Sequence, residues 1–244
     1  MGNPYFNFKE FKIWQEKSAM KVCTDSCIFG AYVSKIISEK KISIPFTVLD
    51  VGAGTGLLSL MLAQKNPKAE IMAIEPDKDT FLECGQNFQN SNWKNRLSIF
   101  HQSLADFLKS SPALFDFIIC NPPFFLNHLV SPSQTRNNAL HISKEDWVNW
   151  ISGLQNLISD SGQIWLLLPG QNLELTIKTL KDFGFHVTTE VQMHQKPDDN
   201  WRNILSISRK PSPVFTPLET QVYDSERELV PLLKLWLSDF YLKL

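Results

Sequence analysis

The segment that most restricts the fold is a short apolar run, Thr47 to Val51, feeding directly into Asp50-Val51-Gly52-Ala53-Gly54-Thr55-Gly56. Leu57 to Gln64 then places apolar residues at helical spacing, so the unit reads strand, glycine turn, helix. The alternation continues. Ala69–Ile74 is expected as a strand, Asp79–Asn90 as a helix, Leu97–Phe100 as a strand and Phe115–Cys120 as a buried strand. Glu145–Ile158 is expected as a helix, Gln163–Leu168 as a strand, and Leu173–Phe183 as a helix closed by Gly184. Phe185–Val191 and Ile204–Ser208 supply two final strands across a polar turn near Gln195 to Asn200. Strands alternating with helices predict an α/β fold with a mostly parallel sheet covered on both faces.

A glycine turn at the carboxyl edge of such a sheet lets a ligand approach bare backbone. Its spacing is G-x-G-x-G, whereas the dinucleotide fingerprint is G-x-G-x-x-G, which argues against a dehydrogenase. Glu75 follows the second strand at the place from which a carboxylate can accept two ribose hydroxyls. It can equally be a surface acid ahead of the next helix, a role open to Asp77 or Asp79 as well.

At the end of the fourth strand stands Asn121-Pro122-Pro123-Phe124. Two prolines fix the backbone and remove two N–H donors, leaving a rigid surface of acceptor carbonyls beside an aromatic ring. Methylation of a planar amine needs such a surface, because the nitrogen lone pair is delocalised until both amino hydrogens are held by acceptors. The side-chain oxygen of Asn121 and the carbonyl of Pro122 are the candidate acceptors, their dipoles stabilising the charge that develops on nitrogen. Phe124 can stack on the base and hold it for attack. The competing reading is a proline turn that merely ends a strand.

The turn from Asp50 to Gly56 resembles the first motif of class I S-adenosylmethionine-dependent methyltransferases. That resemblance implies a seven-stranded, mostly parallel, Rossmann-like sheet with a reversed final strand, and S-adenosylmethionine as cofactor. Over nearly its full length the chain resembles the bacterial tRNA1(Val) adenine-N6 methyltransferases. The residues carrying this are Phe11-Lys12-Ile13, Ala19 to Asp25, Leu57 to Gln64 and Phe240-Tyr241-Leu242. The family places Lys21, Thr24, Asp50, Gly52, Ala53, Gly54, Gly56, Glu75, Pro76, Ser103 and Asn121 at the cofactor. Ser103, with Asp106 nearby, takes the position that faces the cofactor's adenine. The implied substrate is adenine 37 of tRNA, a loop base already unpaired and therefore less demanding to extrude than one in a duplex. Arg136, Lys196 and Arg202 are candidate RNA contacts, each equally readable as a solvated loop charge.

The same corner also serves DNA adenine and release-factor glutamine-amide methyltransferases, and a degenerate fold could act as a non-catalytic scaffold. Those alternatives stay open on sequence alone. Length and composition, 244 residues with 43% hydrophobic and 20% charged, fit one catalytic domain. Its expected parts are a covering segment (1–40), a core (46–210) and a closing segment (211–244). No apolar run reaches the roughly 20 residues needed to span a bilayer, and Met1 to Phe11 is too polar for a secretory signal, so a cytoplasmic location is expected; a monomer is expected as well. The net charge of −1 requires any RNA site to be a local patch, for which Lys9, Lys12, Lys17 and Lys21 interleaved with Phe8, Phe11 and Trp14 are one candidate, equally readable as a solvated face over a few packed aromatics. Cys23, Cys27, Cys84 and Cys120 read as reduced thiols, and neither they nor the histidines show metal-ligand spacing, so no metal is expected. Trp147 and Trp150 are expected in the core.

Overall fold

The computed structural model describes residues 3–18, 20–110, 113–122, 144–196, 199–212 and 215–244. The chain opens with a hairpin of β1 (Tyr5–Asn7) and β2 (Lys12–Trp14), followed by α1 (Thr24–Glu39). The alternating unit follows as β3 (Phe46–Val51), α2 (Leu57–Lys65), β4 (Ala69–Ile74), α3 (Lys78–Gln89), β5 (Leu97–Phe100), α4 (Leu104–Ser110) and β6 (Phe115–Cys120). Then come α5 (Lys144–Leu157), β7 (Ile158–Pro169), α6 (Leu173–Asp182), β8 (His186–His194), β9 (Asn200–Ser208), β10 (Leu218–Gln221) and α7 (Pro231–Leu237).

Among the described residues, eight strands form one sheet in the order β10-β8-β9-β7-β6-β3-β4-β5. All neighbours run parallel except at β9, which is antiparallel to both β7 and β8 and is the reversed strand expected of the family. The eighth strand is additional to the seven expected. Without it β8 would present a row of unpaired backbone groups at the sheet edge, and Leu218–Gln221 covers that edge in parallel register, Leu218 opposite Val191.

Because successive strand residues point to opposite faces, each central strand feeds two cores. Val48, Ala73, Phe117 and Trp165 pack with α1, α2, α3 and α7 through Phe29, Met61, Phe88 and Leu237. Leu49, Ile118, Ile164 and Leu166 pack with α4, α5 and α6 through Phe107, Trp147, Ile151 and Leu180. Each large side chain buried in this way contributes roughly 1.5–3 kcal/mol. Trp147 and Trp150 lie on this second face, their rings stacked at 5.1 Å. Gly30 sets how closely α1 lies on α2, since a Cβ there would come within 2.6 Å of Met61 Sδ.

The turn of the N-terminal hairpin is fastened to the carboxyl-terminal segment. Lys9 N–H donates to Phe240 O at 2.8 Å, and Phe8 bridges to Tyr241. Phe8 and Phe11 are therefore core residues, stacked at 4.5 Å, and not members of a surface patch. Trp14 stays 39% exposed, with the Lys12 ammonium 4.7 Å from the Tyr5 ring and 5.3 Å from its own.

Candidate active site

The carboxyl ends of β3, β4, β5 and β6 meet at one edge of the sheet, and the turn after β3 fills the space between them. Gly52 and Ala53 N–H both donate to Ile74 O, at 2.9 and 3.1 Å, which folds the turn back over β4. Gly52, Gly54 and Gly56 all have positive φ, at +73°, +56° and +82°. A side chain at Gly52 or Gly54 would meet nothing within 4 Å, so bare backbone faces open space there. At Gly56 a Cβ would come within 2.6 Å of the Phe88 ring, so that glycine lets α2 start tightly against α3.

Two buried carboxylates support the turn. Asp50 is fully buried, accepts from Ser59 Oγ at 2.7 Å through Oδ2, and has no partner at Oδ1. Burial pushes its carboxyl up to about 7; the Ser59 hydrogen bonds oppose that rise and the Glu75 charge adds to it. Glu75 accepts Gly54 N–H at 2.9 Å on Oε2 and Asp77 N–H at 3.0 Å on Oε1. Burial raises its carboxyl as well, with the hydrogen bonds from Asp77 and Gly54 acting against the rise. Each Glu75 oxygen keeps a second lone pair, so the carboxylate can hold the turn and still accept from a ligand. The open backbone at Gly52 and Gly54 together with this carboxylate suits a cofactor carrying a ribose diol.

Beyond β5, Pro76 O lies 3.0 Å from His101 Nε2, and the His101 ring stacks on Phe81 at 5.3 Å. Ser103 caps α4: its Oγ accepts Asp106 N–H at 3.1 Å and donates to Asp106 Oδ2 at 2.6 Å. That bond and Lys109 hold the exposed Asp106 carboxyl below its ordinary range.

Asn121 reaches the same edge from β6. Asp50 pairs with Ile119 across β3 and β6 and Cys120 Sγ donates to Val51 O at 2.9 Å, so Asn121 and Gly52 follow directly on the ends of two adjacent parallel strands. Asn121 Nδ2 donates to Ser26 Oγ at 3.1 Å, bringing the first turn of α1 into the site. Ser26 Oγ is also 3.0 Å from Cys23 Sγ, and Ser26 N–H donates to Asp25 Oδ1 at 2.9 Å. Burial first, then the Asp25 charge, pushes the Cys23 thiol up to about 11, so it stays protonated at neutral pH. Asp25 Oδ2 accepts from Arg202 Nε at 2.9 Å, tying α1 to the reversed strand β9.

The segment before α1 is held over the glycine turn by two side chains four residues apart on α3. Asn87 Nδ2 donates to both Trp14 O and Thr55 O at 2.9 Å, joining the hairpin to the turn. Glu83 accepts from Ser18 Oγ at 2.6 Å and from the N–H groups of Lys17 and Ser18. Burial would raise the Glu83 carboxyl, but these hydrogen bonds outweigh it and the net direction is downward.

The structure thus brings together Asp50, Gly52, Ala53, Gly54, Gly56, Glu75, Pro76 and Asn121 at one sheet edge, with Ser103 just past the end of β5. Thr24 opens α1 next to Ser26. Lys21 turns its ammonium into its own segment, bonding Gln15 O and Glu16 O. Arg202 is bound to Asp25, and Lys196 is exposed in the turn between β8 and β9. Pro123, Phe124 and Arg136 lie outside the described residues. Asp25, Ser26, Glu83 and Asn87 were not expected at the site. The run Thr24-Asp25-Ser26 ahead of apolar residues is a helix-start signature that marks the first two locally. Among the described residues no group of three or more His, Cys, Asp or Glu could hold a metal, and no helix is long and apolar enough to cross a membrane.

The sheet order, the reversed strand and the glycine turn define a Rossmann-like fold of the S-adenosylmethionine-dependent methyltransferases. Two solved structures share it: magnesium protoporphyrin IX methyltransferase from Synechocystis with bound S-adenosylmethionine (TM-score 0.58, 20% identity, 76% of this chain and 80% of that one), and a predicted O-methyltransferase from Agrobacterium tumefaciens (TM-score 0.61, 14% identity, 87% and 95%). Residues 33–142 match the family described as Methyltransferase small domain. Relatives named tRNA1(Val) (adenine(37)-N6)-methyltransferase match over most of the chain. That of Dyadobacter fermentans is 33% identical over 99% of this chain and 98% of its own length. That of Parabacteroides distasonis is 32% identical over the whole of both, and that of Cytophaga hutchinsonii 42% over 69% and 68%. The chain belongs to the tRNA1(Val) (adenine(37)-N6)-methyltransferase family.

Proposed function

We propose that this enzyme methylates the exocyclic N6 of adenine 37 in tRNA1(Val), using S-adenosylmethionine. The observation that carries the chemistry is that Asn121 and the glycine turn leave the carboxyl ends of β6 and β3, adjacent parallel strands paired at Ile119 and Asp50. Kinship over nearly the whole chain carries the choice of tRNA. Lys21, Thr24, Asp50, Gly52, Ala53, Gly54, Gly56, Glu75, Pro76 and Ser103 are the residues assigned to the cofactor, with the Glu75 oxygens accepting the ribose hydroxyls. When bound, the cofactor supplies an electrophilic methyl group on sulfonium sulfur.

Asn121 Oδ1 accepts one hydrogen of the adenine amine and Pro122 O the other, which turns the nitrogen lone pair out of conjugation. Both dipoles are set in place before reaction, so they stabilise the positive charge growing on nitrogen without reorganising. Pro123 stiffens the corner and Phe124 stacks on the base, so the rate gain comes from orientation and needs no nucleophilic side chain, the methylated nitrogen then losing one of its two hydrogens as a proton to solvent. Arg136, Lys196 and Arg202 are assigned to RNA, Arg202 through whatever part of its guanidinium the Asp25 pair leaves accessible. The enzyme acts as a cytoplasmic monomer.

Labelled methyl transfer to total tRNA, to release factor and to duplex DNA, run side by side, tests this reading. Label in tRNA, mapped to adenine 37, is expected. Label in protein or DNA but not tRNA assigns the corner to another planar nitrogen, and cofactor binding without any transfer identifies a scaffold.

A further inference from the structure

Methyl transfer by an asparagine corner works only if the carboxamide presents its oxygen, and not its NH2, to the adenine amine. A carboxamide is nearly symmetric in shape, and a half-turn about its last bond replaces an acceptor with a donor. The flipped form would set donor against donor. Of the described residues of the corner, Asn121 and Pro122, neither chooses between the two.

We propose that Ser26 makes that choice and is the positioning residue for Asn121. Its Oγ receives Asn121 Nδ2–H at 3.1 Å, and fixing the nitrogen end of a planar amide turns the oxygen end away from α1. Cys23 Sγ lies 3.0 Å from the same Oγ, a contact in which either atom can donate; with the Ser26 proton turned to the sulfur, an Oγ lone pair faces the amide. Ser26 is itself held. Its N–H bonds Asp25 Oδ1, and Asp25 is clamped by Arg202 Nε at 2.9 Å from the reversed strand. Ser26 and Asp25 are both only 8% exposed, so water competes poorly for these bonds. The chain Arg202, Asp25, Ser26, Asn121 makes the start of α1 part of the transfer machinery.

The inference rests on the role assigned above to Asn121, and the experiment separates the two. Steady-state kinetics on tRNA, cofactor affinity by calorimetry and melting temperature are measured for Ser26→Ala, Ser26→Thr and Asn121→Ala. Alanine is a good helix former, so Ser26→Ala keeps α1 intact. Its kcat is expected to fall about fivefold to tenfold, the equilibrium weight of one hydrogen bond, with KM for tRNA and cofactor Kd unchanged and the melting temperature lowered by no more than the roughly 2–4 °C that one such bond accounts for. Ser26→Thr restores the hydroxyl and recovers most of the lost rate. Unchanged kcat in Ser26→Ala, or losses spread over Kd and a larger fall in melting temperature, overturns the positioning role while an inactive Asn121→Ala still supports the role of Asn121. Full turnover by Asn121→Ala overturns the role of Asn121 itself.

Discussion

Gly54 N–H donates to Glu75 Oε2 at 2.9 Å, so the carboxylate assigned to the ribose is also the group that shapes the glycine turn. Both Glu75 oxygens accept backbone N–H groups, and Glu75→Gln would set an NH2 against one of them. A bond to a charged group is worth about 1.5–3 kcal/mol, so cofactor affinity is expected to fall at least about tenfold by calorimetry. Unchanged affinity would show that the carboxylate serves neither the turn nor the ligand.

Gly54→Ala tests the turn separately from its carboxylate. With φ at +56°, an alanine there carries about 1–2 kcal/mol of strain, and its methyl group projects into the open side of the turn. The melting temperature should drop modestly, while cofactor affinity drops by more than that strain accounts for. Equal losses in the two measurements would place the ligand elsewhere.

Asp50 makes stability depend on pH in an unusual direction. Its carboxyl rises from an ordinary 3.8 to about 7 on folding, chiefly through burial, so between those values the native state holds a proton that the unfolded chain releases. Its contribution is therefore greatest below about pH 4, declines as pH rises, and levels off above about pH 7. Asp50→Asn keeps the acceptor for Ser59 and removes the titration. Melting curves from pH 4 to 8 should show the variant gaining on the parent as pH rises, and parallel curves would contradict the shift.

Removing the Arg202 guanidinium strands Asp25, whose side chain is 11% exposed against 29% for its partner. Arg202→Ala is expected to destabilise the enzyme by about 1–3 kcal/mol, less than a fully buried pair because the site is partly solvated. The rate should fall in step with Ser26→Ala. A variant with native stability, native rate and only a shallower salt dependence of tRNA binding would assign Arg202 to phosphate alone.

The strands Ala69–Ile74, Leu97–Phe100 and Phe115–Cys120 were legible to the residue because each is a short, mainly apolar stretch, broken once by a polar residue near its start and bounded by polar turn residues. The helix Thr24–Glu39 was not. Its polar positions, Asp25, Ser26 and Ser34, are buried by contacts with distant parts of the chain, which blurs the periodic stripe that marks an amphipathic helix. The hairpin Tyr5–Trp14 and the strand Leu218–Gln221 are too short to declare themselves. They form because the carboxyl-terminal segment and the edge of β8 offer them partners.

The candidate site divides along the same line. The glycine turn and the Asn-Pro-Pro-Phe corner are local devices whose chemistry lies in consecutive residues, so the amino-acid sequence by itself determined that a cofactor turn and a planar acceptor corner exist and belong on one sheet edge. Which way Asn121 faces was decided only by the tertiary structure. Ser26 is 95 positions away and Arg202 lies 177 positions from Asp25, and a hydrogen bond between such residues depends on the packing of α1 against the sheet, which no local pattern encodes.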